Sequence, residues 1–112
     1  MEIVNVRALE HAYAYLRGTP PFYWWKLPYP HEVAFKITKT TTMYGCQDQD
    51  QDEDHFICIS TVLNRDTPTL MATMAHEMVH IHVPHGKAEH GRAFKRCAAL
   101  VCKYHGFDLE TF

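Results

Sequence analysis

Five of the nine histidines in this 112-residue chain fall between His76 and His90. Histidine is the side chain that ligates metals and moves protons near neutral pH. Inside this stretch, His76-Glu77-Met78-Val79-His80 sets two histidines four residues apart with a glutamate beside the first. An α-helix turns once per 3.6 residues, so His76 and His80 project from one face, a turn apart. Two imidazoles so placed can converge on one Zn²⁺ at about 2.0–2.1 Å. Glu77 stands next to that face and can reach a water on the metal without taking a coordination position. The metal lowers the pKa of that water toward about 7. The carboxylate then takes the water's proton as it attacks a carbonyl, and returns it to the leaving amine. The spacing therefore describes zinc-dependent amide hydrolysis, with Glu77 as acid and base.

A catalytic zinc takes three protein ligands and keeps one position open. The remaining candidates are His82, His85, Glu89 and His90. His82 lies on the same helix but is rotated from the ligand face, so it reads as a packed or capping residue. His85 follows Pro84 in a loop. The metzincin arrangement needs a glycine three residues past the second histidine and a histidine six past it. Here Val83 and Gly86 occupy those positions. Glu89 would make the set gluzincin-like. His90 opens the last predicted helix, where Gly91 allows close backbone approach and Phe94 anchors the helix. The residues alone leave His85, Glu89 and His90 open as the third ligand.

The elements that must position these groups follow from periodicity. Ile3, Val6, Leu9, Ala12, Tyr13 and Leu16 predict a helix over residues 3–17, ended by Gly18 and Pro20-Pro21. Residues 18–31 form an aromatic, proline-rich loop. Three strands are expected, at Val33–Thr38, Thr41–Cys46 and His55–Ser60, with Val33, Phe35 and Ile37 on one face of the first. The polar run Gln47–Asp54 reads as a solvated turn. Asp66 or Thr67 caps the metal-site helix, Pro68 suits its first turn, and Pro84 and Gly86 end it near Val83. Met71, Met74, Ala75 and Met78 give that helix a core side. A last helix spans roughly Glu89–His105, stopped by Gly106, with Phe94, Cys97, Ala98 and Val101 inward. The order predicts one α+β domain over residues 1–112, with a small, mainly antiparallel three-stranded sheet and helices packed on it. His55–Ser60 is the expected free edge, where an extended peptide could add as a strand.

His76-Glu77-x-x-His80 followed by His90-Gly91-x-x-Phe94 resembles the SprT-like (Spartan-type) zinc metallopeptidase family. Ile57–Leu63 and Asp66-Thr67-Pro68 sit where that family has a strand and the start of its active-site helix. The resemblance covers about residues 55–105. It implies a minimal zincin-like fold, His76, His80 and His90 as zinc ligands, Glu77 as catalytic acid/base, and a protein or peptide substrate. Family members include proteases that act on proteins bound or crosslinked to DNA. Two features depart from the pattern: no Cys-x-x-Cys zinc ribbon follows, and the loop between His80 and His90 is short.

Composition narrows the alternatives. With 46% hydrophobic and 21% charged residues, the chain is ordinary for a globular protein, and a net charge of −2 gives no overall pull toward nucleic acid or membrane. No basic segment followed by an apolar run opens the sequence, and no apolar stretch is long enough for a bilayer, so a cytoplasmic monomer is expected. Cys46, Cys58, Cys97 and Cys102 contain no Cys-x-x-Cys pair and read as reduced, buried small hydrophobes. Arg92, Lys95, Arg96 and Lys103 could contact DNA phosphates, although solvation is the commoner role for such a face. The acidic stretch lacks EF-hand spacing. The Phe22–Tyr29 loop could stack on unpaired bases, but packing serves equally. Tyr44, His85, Tyr104 and His105 are chemically able to stabilise an oxyanion. Two other functions share these residues: a non-catalytic zinc-stabilised domain that binds nucleic acid or protein, and hydrolysis of a non-peptide amide.

Overall fold

The structure is a computed structural model and describes residues 3–49, 54–83 and 90–112. Helix α1 (Val6–Arg17) begins where Asn5 Oδ1 accepts the Ala8 amide at 2.9 Å. That cap places its start three residues later than the apolar periodicity suggests. Leu9, Ala12, Tyr13 and Leu16 form its buried stripe. The following loop is tightened by two short 3₁₀ turns, Phe22–Trp25 and Pro30–Glu32. The Tyr13 hydroxyl ties helix to loop by donating to Pro28 O at 2.6 Å. Helix α2 (Thr67–His82) is capped by Asp66, whose Oδ1 accepts the Thr69 amide at 2.8 Å. Helix α3 (Arg92–His105) ends at Gly106, whose φ of 78° is the left-handed conformation glycine adopts without strain.

Strands β1 (Val33–Thr38), β2 (Gly45–Gln49) and β3 (His55–Ser60) form one sheet in the order β1-β3-β2. β1 runs parallel to β3 and β2 antiparallel to it. The sheet is therefore mixed, not mainly antiparallel, and β3 is its centre rather than an edge. The reason is burial. Ile57 and Ile59 are fully buried, and the most apolar strand takes the position flanked on both sides. β2 carries Gln47 and Asp48, which an edge strand tolerates. It consequently starts at Gly45, not at Thr41, and draws residues 47–49 out of the expected polar turn.

Val33, Phe35, Ile57 and Ile59 share the sheet face turned to the helices, where Phe35 meets Tyr13 edge-on. Met74, Ala75, Met78 and Val79 supply the core side of α2, and Phe94, Ala98 and Val101 that of α3. Ile37, at the end of β1, is left exposed. Only Cys102 of the four cysteines is buried; Cys46, Cys58 and Cys97 are half-buried thiols.

Two residues lock β2 against α2. A Cβ on Gly45 would lie 2.9 Å from Cys58 O and 3.0 Å from Thr73 Cγ2, so only glycine permits this approach. Asn64, fully buried, donates from Nδ2 to Tyr44 O (2.9 Å) and Ser60 O (2.7 Å) and accepts the Thr73 hydroxyl at 2.7 Å. One amide thus joins the start of β2, the end of β3 and the middle of α2. No helix among the described residues is long and apolar enough to cross a membrane.

Candidate metal centre

α2 presents His76 and His80 from one face, as helical geometry requires. His90 arrives from the residue before Gly91, the N-cap of α3. Their ligand atoms all lie within 4.8 Å of one another. His80 Nε2 and His90 Nε2 are 3.1 Å apart. Two nitrogens bound to one tetrahedral metal at 2.0–2.1 Å would stand about 3.3–3.4 Å apart, so this pair already has nearly the spacing an ion would impose, and His76 completes the set within the 4.8 Å limit. The three rings enclose the position: His76 sits edge-on to His80 at 4.9 Å and to His90 at 5.1 Å.

Beneath them lies Phe94, with ring centroids 5.1, 4.5 and 4.6 Å from His76, His80 and His90. The expected anchor of α3 is also the apolar floor of the cluster. Such a floor excludes water from the back of the site and strengthens electrostatics there. Exposure rises across the three histidines: His80 is buried, His76 half-buried and His90 exposed. The site therefore opens toward His90.

His76 Nδ1 lies 2.6 Å from the main-chain oxygen of Phe112. That oxygen can only accept, so Nδ1 carries the proton and Nε2 keeps its lone pair for a metal. The Phe112 ring packs on the same imidazole at 5.4 Å and stacks on Phe107 at 5.8 Å. Nothing near the motif in sequence signals this contact.

Glu77, only 5% exposed, lines with His76 a cleft of about 650 Å³. Tyr44 and Gly45 of the β2 side and Phe107 and Phe112 of the C-terminal segment complete its walls. Of the oxyanion candidates, Tyr44 borders this cleft. Tyr104 packs edge-on against Trp24 at 5.7 Å, and His105 Nε2 contacts Thr19 Oγ1 and Pro20 O, both at 2.9 Å. His85 lies outside the described residues, as does Glu89.

His82 stands apart from the cluster. It stacks on Trp25 at 4.1 Å, nearly parallel, and burial holds its pKa below the usual histidine range. That matches a packing residue. In the aromatic loop, Phe22 is core and Trp25 packs against it, while Tyr23, Trp24 and Tyr29 are exposed. Arg92, Lys95, Arg96 and Lys103 are all exposed on α3. The acidic stretch is only partly described: Asp48 and Asp54 lie within the described residues, and 50–53 do not.

Three imidazoles form a donor set that suits borderline divalent ions such as zinc, cobalt, nickel and copper. A buried carboxylate on the next residue, facing an open cleft, is placed to move a proton beside such an ion. Compared with known proteins, the chain matches no family model and no curated protein.

Proposed function

We propose that the protein is a zinc-dependent metallopeptidase of SprT-like type. The observation that carries this reading is the convergence of His76, His80 and His90 within 4.8 Å, with Glu77 buried on the same helix at the edge of a cleft. The three histidines would hold the ion. Zinc, when bound, supplies a Lewis acid that makes water acidic and polarises a carbonyl. Glu77 accepts the proton of the attacking water and delivers it to the leaving amine nitrogen. Tyr44 offers a hydroxyl to the carbonyl oxygen as charge develops there. The outer edge of β2, which begins beside Tyr44, takes the role expected of β3: an extended peptide can pair along it.

A partner also follows from α3. Arg92, Lys95, Arg96 and Lys103 fall within an arc of about 100° on the helix, which starts at the edge of its buried side beside Cys102 and runs outward. Such a stripe fits phosphates and a substrate associated with DNA. It equally supports the second reading, a metal-stabilised domain that binds nucleic acid without catalysis.

The deciding experiment compares wild type and Glu77→Gln for metal content and for cleavage of an unfolded protein substrate. The peptidase reading expects equal zinc and loss of cleavage only in the variant. Equal cleavage by both proteins would refute it. Zinc in both with cleavage in neither would leave the non-catalytic domain.

A further inference from the structure

A second reactive cluster lies on the opposite side of the sheet. Cys46 and Cys58 are twelve residues apart in sequence and directly opposed in the antiparallel β2–β3 register. Opposed residues share a face. Gly45, Ile57 and Ile59 are turned to the helices, so Cys46 and Cys58 are turned away from them. Both thiols are half-buried. The Ser60 amide donates to Tyr44 O at 2.9 Å, and hydrogen-bonded pairs alternate along such a ladder. Cys46 and Cys58 therefore occupy a hydrogen-bonded pair, with Cα atoms about 5.5 Å apart. That lies within the 4.4–6.8 Å range in which a disulfide can close.

We propose that Cys46 and Cys58 form a redox-active dithiol that closes reversibly to a cross-strand disulfide by exchange with a small-molecule disulfide such as oxidised glutathione. The two thiols are unequal. Burial, and then the neighbouring Cys58 thiol, push Cys46 up to about 12, so Cys46 keeps its proton. Cys58, which lies beside the Lys36 cation in the β1–β3 register, is the attacking sulfur. Its register partner on the other side is Lys36, exposed, a cation suited to the anionic glutathione. The Cys58 thiolate attacks one sulfur of oxidised glutathione, forms a mixed disulfide and releases one glutathione thiolate. Cys46 then attacks the Cys58 sulfur. The Cys58–Cys46 bond forms, the second glutathione leaves, and the Cys46 proton passes to it. The protein loses two electrons and two protons, and one oxidised glutathione becomes two reduced molecules.

The pair also has a reason to reopen. Opposed Cβ atoms stand about 4.5–5.5 Å apart, wider than the roughly 3.5–4.5 Å of a relaxed disulfide. Closing the bond strains the strands, and strained bridges are the more easily reduced.

The test is to equilibrate the full chain in glutathione buffers of rising oxidised fraction, quench in acid, alkylate free thiols and map the peptides. A Cys46–Cys58 bridge that appears with oxidation and vanishes with excess reduced glutathione, while Cys97 and Cys102 stay alkylated, is expected. Cys46→Ser should stop at a glutathione adduct on Cys58, and Cys58→Ser should leave Cys46 unmodified. Four alkylated thiols in every buffer, or a bridge through Cys97 or Cys102, would overturn the proposal. The wild-type map decides this without either variant.

Discussion

His76 Nδ1 and the main-chain oxygen of Phe112 are joined at 2.6 Å across 36 residues of sequence. The contact engages one imidazole nitrogen and brings the C-terminal segment to the candidate metal centre. Outer partners of this kind typically change metal affinity 10- to 100-fold when removed. Deleting residues 111–112 should weaken zinc binding by about that factor, read by competition with a chromophoric chelator. Phe112→Ala keeps the main-chain oxygen and should lose much less. Equal, unaltered affinity in both would show that the contact does not support the site.

His90 tests the ligand set. His90→Ala should lower the zinc retained per chain, measured by elemental analysis, and His80→Ala, which removes the buried histidine of the cluster, should do the same. Unchanged zinc in His90→Ala would assign the third position to another residue. Ligation requires unprotonated imidazoles, so affinity in the wild type should fall as the solution is acidified.

Gly45 sets the distance between β2 and α2. Gly45→Ala would push a methyl against Cys58 O and Thr73 Cγ2. Overpacking of this kind costs about 1–3 kcal/mol, which urea unfolding would register as a lower midpoint. A midpoint unchanged from wild type would mean the strand moves away freely.

His82 should report acidification through Trp25. Its folded pKa is depressed by burial, so the folded protein binds fewer protons there than the unfolded chain. The sign follows: this contribution to stability is present above the unfolded value of about 6.5 and is lost as pH falls from there toward the folded pKa. Protonation beside the indole should quench its fluorescence with a midpoint below that of free histidine. His82→Asn should abolish the transition. A quench that persists in the variant would place its source elsewhere.

What could be read from the sequence was local. His76, Glu77 and His80 lie within one helical turn and a half, and the caps at Asp66 and Gly106 act within a few residues. These depend on spacing that one helix dictates. The strand order did not announce itself, because pairing β3 between β1 and β2 satisfies burial of Ile57 and Ile59, a property of the assembled sheet. Asn64 lies between β3 and α2, where no motif marks it. Its three hydrogen bonds to Tyr44, Ser60 and Thr73 exist only once the elements meet. The Cys46–Cys58 neighbourhood likewise depends on register, which the cysteine spacing does not reveal.

The mixed sheet also has an order of assembly. β2 and β3 are joined by a short connection, whereas β1 meets β3 across 22 residues, as in Val33 with His55. The entropic cost of closing a loop rises with its length, and hairpins form locally within microseconds. The β2–β3 ribbon can therefore exist before β1 docks along its far side. That ribbon carries Gly45, at the wall of the cleft, and the Cys46–Cys58 pair. The half of the sheet closest to the candidate site is the half that needs least of the chain to fold.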